Sequence, residues 1–155
     1  MRDRTVAVLL FNGRLFIQPF SYTGLDTQSR VAFGDPVVCD VSDTEIGKGV
    51  LRAFKSCLEN KSFPLFRSEY AEYQAGLLRE TGCTSVNGVW SRALQIDVRE
   101  KDGGIEVSFI PSEQSNTKFA KPSFQEIVMR CSADPDEITS TIKQVLSLVV
   151  GAKKP

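Results

Sequence analysis

The side chains able to do chemistry in this chain are four cysteines, two small groups of carboxylates and one glycine-flanked lysine. The residue most used for proton transfer is missing: no histidine occurs among the 155 residues. That removes the commonest general base, the usual activator of a nucleophilic Ser or Cys, and the commonest metal ligand. Cys39, Cys57, Cys83 and Cys131 are widely spread, the nearest two being 18 positions apart. Such spacing excludes a CxxC redox or zinc signature. Gly47-Lys48-Gly49 fits neither phosphate-loop pattern, GxxxxGK[ST] or GxGxxG, and falls inside a helical stretch. Glu69 with Glu72 fits a solvated helix face, and Asp134 with Asp136 and Glu137 fits a helix N-terminus, where negative charge is favourable. The expectation is therefore a protein that is not an enzyme, with no cofactor and no metal. A cysteine-dependent enzyme is the weakest alternative, since no feature nominates a partner for a thiol.

The elements that would position these residues are organised by a repeat. Val37 to Phe54 and, 92 residues on, Met129 to Leu146 share one design, a short strand running into a capped helix. In the first, Val37, Cys39 and Val41 alternate onto one face, and Ser42 with Glu45 forms a capping box. In the second, Met129, Cys131 and Ala133 alternate, Asp134 is the cap, Pro135 takes the first helical position and Glu137 matches Glu45. Ile46, Val50, Ala53 and Phe54 make an apolar stripe, as do Ile138, Ile142, Val145 and Leu146. Each copy is preceded by a hairpin. Asn12-Gly13 sits between two apolar runs in one, the signal for a two-residue type I′ turn. In the other, Leu94, Ile96 and Val98 alternate before Asp102-Gly103-Gly104, and Ile105, Val107 and Phe109 alternate after it. Pro19 and Pro111 are expected to end the second arms. Repeats constrain architecture, so the reading is α+β: two tandem pseudo-repeats, each a hairpin, a longer loop, a third strand and a capped helix. They would occupy about 5–57 and 93–150 of a single domain, with a helical insert over about 58–92.

In that insert Leu58 to Phe66 reads as a linker. Ser68 is expected to cap a helix carrying Tyr70, Tyr73, Leu77 and Leu78, ending at Gly82 as a left-handed C′ residue, and Thr84 to Ser91 to form a short helix with Val86, Val89 and Trp90. The aromatic residues either pack the insert on the sheet or anchor a partner, since aromatics are enriched at interface centres. Cys39 and Cys131 read as small core residues. Cys57 and Cys83 read as free thiols, a disulfide between them being the alternative that a reducing compartment disfavours.

Nineteen basic and nineteen acidic residues leave no net charge, so no whole-molecule field attracts nucleic acid or an anionic membrane. Val6 to Phe11, the longest apolar run, is about a third of the ~20 residues a membrane span needs. Met1-Arg2-Asp3-Arg4 before it imitates the charged start of a signal peptide without a cleavage site. The expected location is the cytoplasm. A second function class is a single-stranded nucleic-acid-binding module, with Phe11, Arg14, Phe16, Lys118 and Phe119 as stacking rings and phosphate contacts. Scattered, acid-balanced bases argue against it.

The stretch from Gly104-Ile105-Glu106-Val107, through Ile110-Pro111-Ser112, to Ser132-Ala133-Asp134-Pro135-Asp136-Glu137-Ile138 and the closing helix resembles bacterial contact-dependent growth inhibition immunity proteins, the CdiI-like family of Gram-negative bacteria. Asp40-Val41-Ser42-Asp43-Thr44-Glu45-Ile46-Gly47 is similar to that family's first half. The resemblance implies a cytoplasmic antitoxin that binds the C-terminal domain, often a nuclease, of a large surface-displayed effector. Some such proteins are similar in fold to Whirly single-stranded-DNA-binding domains. A departure is charge: blockers of basic nucleases are often strongly acidic, and this chain is neutral. Charge complementarity must then be local, or inhibition steric, or the toxin is not a nuclease. No motif marks the interface. Exposure pattern nominates Glu69, Glu72 and Glu80 on the central helix, with Tyr22, Asp26 and Arg30 in the loop before the third strand.

Overall fold

Two glycine-containing turns set the frame. In the computed structural model, which describes residues 4–22, 30–32, 34–57, 67–113, 116–120 and 123–151, Asn12 and Gly13 both lie at positive φ, 51° and 75°. A type I′ turn requires that pairing. It joins β1 (Thr5–Phe11) to β2 (Arg14–Tyr22), with Phe11 opposite Arg14. The chain continues through β3 (Arg30–Ala32), β4 (Val37–Asp40) and α1 (Ile46–Lys55) to the insert helices α2 (Arg67–Thr81) and α3 (Val86–Arg92). A second hairpin follows, β5 (Leu94–Lys101) and β6 (Gly104–Phe109), turning on Asp102 and Gly103 at φ 52° and 79°. Last come β7 (Ile127–Cys131) and α4 (Pro135–Gly151). The architecture is α+β, as the repeat implies.

The strands form one antiparallel sheet in the order β3-β2-β1-β5-β6-β7, with β4 also pairing β2. At its centre Ala7 lies opposite Asp97. These two positions are 90 apart, as are Asn12 and Asp102, so each hairpin meets its counterpart about an approximate twofold between them. Behind the sheet the repeat helices also meet at matching positions. The Gly47 N–H donates to Thr139 Oγ1 at 2.8 Å, and these residues are 92 apart. The offset thus changes by two between hairpin and helix. Pro19 and Pro111 expose the slip: Pro111 follows β6, but Pro19 lies inside β2, opposite Val6, rather than ending it. It falls between the part of β2 that pairs β4 (residues 14–17) and the part that pairs β3 (residues 20–22). A missing N–H breaks no ladder on that side.

Alternation sends Val6, Val8, Leu15, Ile17, Ile96, Val98, Val107 and Phe109 to one face, where α1 and α4 bury Ile46, Val50, Phe54, Ile138, Ile142 and Val145 against them. At roughly 1.5–3 kcal/mol for each fully buried large apolar side chain, this is the main cohesive layer. The opposite face differs between halves. Over β1 and β2 it is apolar, with Ala7, Leu9, Phe11, Phe16 and Phe20 covered by Leu77 of α2 and Val89 of α3. Trp90 is half-buried there and stacks on Phe20, centroids 6.1 Å apart, so it packs the insert on the sheet.

Several local expectations are corrected. Ser42 is exposed and does not cap α1. The Glu45 N–H donates to Asp43 Oδ1 at 2.7 Å, and Glu45, at the N-cap position, makes no capping bond. Asp43 satisfies the amide from a tighter turn, closed by its own N–H to Asp40 O at 3.0 Å, and the capping box never forms. Val41 and Ala133 lie just beyond their strands and are exposed. Ser68 is inside α2, which already runs from Arg67. The other caps form as read. The Glu137 N–H donates to Asp134 Oδ2 at 3.1 Å, and Gly82 (φ 73°) donates to Leu78 O at 2.9 Å. Glu137 in turn accepts from Ser132 N and Oγ, which holds its carboxyl below the usual range. The proposed linker, Leu58 to Phe66, lies outside the described residues.

Candidate partner-binding site

Among the described residues α2 and α3 cover the outer sheet face over β1 and β2. Over β5, β6 and β7 that face is polar, with a ladder across four strands: Thr5 opposite Arg99, Arg99 opposite Glu106, Glu106 opposite Arg130. Cross-strand opposite charges stabilise such a ladder. Glu106 is its hub, accepting from Arg99 Nη2 at 3.0 Å, with Arg130 Nη2 at 3.3 Å and Lys101 Nζ at 3.7 Å. Its side chain is only 12 % exposed while its three partners are much more open.

Beside the ladder opens a cleft of about 220 Å³ lined by Thr5, Asp97, Arg99, Glu106, Ser108, Ile110, Glu113 and Glu126. Among the described residues its lining brings four carboxylates together with the Arg99 guanidinium, which is held on Glu106. The rigid parts come from the strands. Gln95 Nε2 donates to Asp97 Oδ1 at 2.8 Å, fixing that carboxylate. The wall carrying Glu113 is a loop pinned by buried Asn116, which donates to Gln95 O and Ile110 O, both at 3.0 Å, and accepts from Gln95 N at 2.8 Å. The Asn116 and Thr117 N–H groups close the turn on Glu113 O at 2.8 and 3.2 Å. Thr5, 1 % exposed, brings a hydroxyl oxygen that is buried with no hydrogen-bond partner. Next to the cleft, Val128 of β7, opposite Ser108, is 48 % exposed. An apolar anchor beside satisfied polar groups is how interface centres are composed.

The nucleic-acid reading meets a physical obstacle. Phe11 and Phe16 are both 3 % exposed and packed edge to face, centroids 6.2 Å apart, while Phe119 is half-buried against the main core. Rings already covered offer no stacking platform for bases. Cys39 and Cys131 are half-buried against the main core rather than fully inside it, and all four cysteines are free thiols. Burial, then Asp43 and Asp40, push the Cys39 thiol up to about 11, which suits an inert thiol. Burial also raises that of Cys57. Among the described residues no group of three or more His, Cys, Asp or Glu could hold a metal ion, and no helix is long and apolar enough to cross a membrane.

The residues nominated from exposure pattern are not brought into one cluster. Tyr22 and Arg30 end up as neighbours, paired across β2 and β3. Asp26 lies outside the described residues, as do the side chains of Glu69 and Glu72 on α2. Glu80 is exposed in the last turn of α2, 3.8 Å from Arg79, which reaches Asp35 at 2.9 Å. The cleft residues were not nominated. A signal for them existed: the outward residues of the first hairpin are mostly apolar (Ala7, Leu9, Phe11, Phe16 and Phe20, with Thr5, Arg14 and Gln18 the exceptions), whereas those of the second are Gln95, Asp97, Arg99, Glu106 and Ser108. Two repeats with one inward pattern and unlike outward patterns imply one covered and one open face.

No family model and no curated protein matches the chain by sequence. Solved structures match by fold. A protein of unknown function from Neisseria meningitidis, NMB0488, superposes with a TM-score of 0.64 at 17% identity, covering 95% of both chains. A chain of the CdiA-CT/CdiI toxin and immunity complex from Yersinia pseudotuberculosis superposes with a TM-score of 0.62 at 10% identity, covering 95% of this chain and 97% of that one. At such identities what is shared is the fold, end to end.

Proposed function

We propose that this chain is an immunity protein of a contact-dependent growth inhibition system, a small protein of the bacterial cytoplasm. It binds the C-terminal toxin domain of a cognate surface effector and neutralises it by occlusion, without catalysis. The observation that carries this reading is the end-to-end fold match with a chain of a toxin and immunity complex, to which the sequence resemblance independently leads. An occluding protein needs a contact surface rather than a catalytic set, and the outer face of β5, β6 and β7 offers a polar one bordered by the exposed Val128. A standard interface of about 1,600 Å² in total would extend well beyond the cleft. The patch on α2 with Glu69, Glu72 and Glu80, and the β2–β3 region with Tyr22, Asp26 and Arg30, stands as a second contact surface. The toxin is taken to be a nuclease, as the toxins of the resembling family often are.

The test is calorimetric titration with a catalytically dead form of the C-terminal domain of the large protein encoded beside this one. A nanomolar Kd, about −12 kcal/mol, is expected. A folded domain that does not bind overturns the reading. Reversing Glu69 and Glu72 together to Lys should weaken binding if α2 takes part, and unchanged affinity removes α2 from the interface.

A further inference from the structure

A groove of about 440 Å³ opens on the helix side of the sheet, opposite the outer face that carries the candidate contact surface. Its floor is Leu10 of β1 and Leu146 of α4, both packed in the main core, and its rims are the exposed Val41 and Val150. One end is polar. Lys143 donates from Nζ to Ser42 O at 3.4 Å, and among the described residues its ammonium forms no ion pair. The volume falls within the range of small-molecule sites, about 300–1,000 Å³, whose walls are mostly apolar with a few placed polar groups. An apolar wall alone would say nothing about its occupant.

The repeat supplies the second observation. With the offsets of 90 between hairpins and 92 between helices, Leu10 and Leu146 correspond to Glu100 and Phe54. That counterpart corner is covered by the chain itself: Arg4 lies over the Phe54 ring, 5.6 Å from its centroid, and donates to Phe54 O at 3.2 Å and to Glu100 Oε2 at 2.8 Å. Arg4 corresponds in turn to Leu94, which lies opposite Leu10 as Arg4 lies beside Glu100. A leucine has neither the reach nor the charged head of an arginine, and Leu94 stays buried in the core. The fold thus shows what such a corner holds, an aliphatic stem with a charged head, and supplies it from its own chain at Phe54 but not at Leu146. At Leu146 the polarity is also reversed: Leu10 stands where Glu100 accepts from Arg4, and the charged group at the rim is the Lys143 ammonium.

We infer that this groove binds a linear aliphatic carboxylate, its head paired with Lys143 Nζ and its chain lying along α4 toward Val150. From residue 143 to residue 150 a helix rises about 10 Å, the length of an extended chain of about eight carbons. One ammonium answers one negative charge, which favours a monocarboxylate over a phosphate ester carrying nearly two. Because the groove and the candidate toxin-contact face lie on opposite sides of the sheet, this site does not rest on the immunity reading.

The test titrates octanoate into the full chain while backbone amide resonances are followed. Octylammonium and octanol are the head-group controls, and hexanoate is the chain-length control. Octanoate should give saturable shifts confined to Leu10, Val41, Ser42, Lys143 and Val150, with a Kd at or below about 1 mM. Hexanoate, two methylenes shorter, should bind roughly four- to tenfold more weakly, and octylammonium at least about tenfold more weakly. Lys143→Gln, which lies outside the core, should bring octanoate down to the affinity of octanol. Lys143→Glu should reverse the preference, taking octylammonium in place of octanoate. Val150→Ser should weaken octanoate and octanol alike, several-fold, because both lie on the wall it shortens. Shifts spread over exposed lysines such as Lys48 and Lys118, equal affinity for octanoate and octylammonium, or unaltered octanoate binding in Lys143→Gln overturn the site. So does a titration that shows no saturation by about 10 mM.

Discussion

Thr5 combines a backbone that the fold uses with a hydroxyl that it does not. Its backbone belongs to the central strand and its carbonyl accepts from Cys57 Sγ at 3.5 Å, but its hydroxyl gives the fold nothing. Thr5→Val removes an unpaired polar atom at nearly constant volume. Stability should therefore rise by about 1 kcal/mol, read as a higher urea midpoint at constant slope. A fall would mean that the hydroxyl is already satisfied. Cys39 makes a different point, about inertness. Its thiol is raised from 9.0 to about 11 in the folded chain, so between those values the unfolded chain loses the proton and the folded one keeps it. Stability contributed by the buried neutral thiol is intact below pH 9 and is lost as pH climbs toward 11. The urea midpoint should drop over that window, and Cys39→Ala should drop less. Equal slopes in both proteins would place the effect elsewhere, for instance at Cys57, whose thiol is raised in the same direction.

Between elements, the decisive contact is α1 against α4. A Cβ on Gly47 would lie 2.7 Å from the Pro135 carbonyl carbon and 2.9 Å from its Cα. That obstacle is backbone, which cannot swing aside as a side chain would. Gly47→Ala should cost about 3 kcal/mol despite alanine's better helix propensity, measured by chemical denaturation. Thr139→Val should cost about 1–3 kcal/mol by a separate route, because it orphans the buried Gly47 N–H. A neutral Gly47→Ala would mean that the two helices are not in close contact. This contact also marks how far the sequence could be read. The apolar stripes, the two hairpin turns, the Asp134 cap and the Gly82 terminus were legible because each depends on residues within one turn or one strand. The Ser42 cap failed because Asp43, one position on, reaches the same amide by a shorter path. The three-residue strand β3 carries too little pattern to see, and Pro19 read as a terminus because nothing local reveals a gap between the two partners of β2. The candidate cleft was half visible: its polar outward residues were there to read, yet only the position of the insert decides which half of the face it covers.

For the molecule as a whole, equal numbers of acids and bases mean that any electrostatic contribution to the proposed toxin capture must come from the local distribution. The fold supplies two candidates that salt can separate. The cleft is partly enclosed, and Arg99, Lys101 and Arg130 beside Glu106 offset its negative charge at a distance. The α2 patch, if Glu69, Glu72 and Glu80 all face a partner, is open to solvent and would act at a distance. Exposed charges beyond a Debye length, about 10 Å at 0.1 M, are screened, whereas enclosed pairs are screened much less. If the cleft dominates, raising salt from about 50 to 500 mM should slow toxin association by less than about tenfold and leave most of the affinity in place, while Glu113→Gln/Glu126→Gln should act on the dissociation rate. If instead association slows a hundredfold while the double variant dissociates like wild type, recognition runs through the open acidic helix. Stopped-flow association and dissociation rates at three salt concentrations distinguish the two. The neutral total charge favours the first outcome, since a protein selected for long-range steering toward a basic toxin would be expected to carry a net negative field of its own.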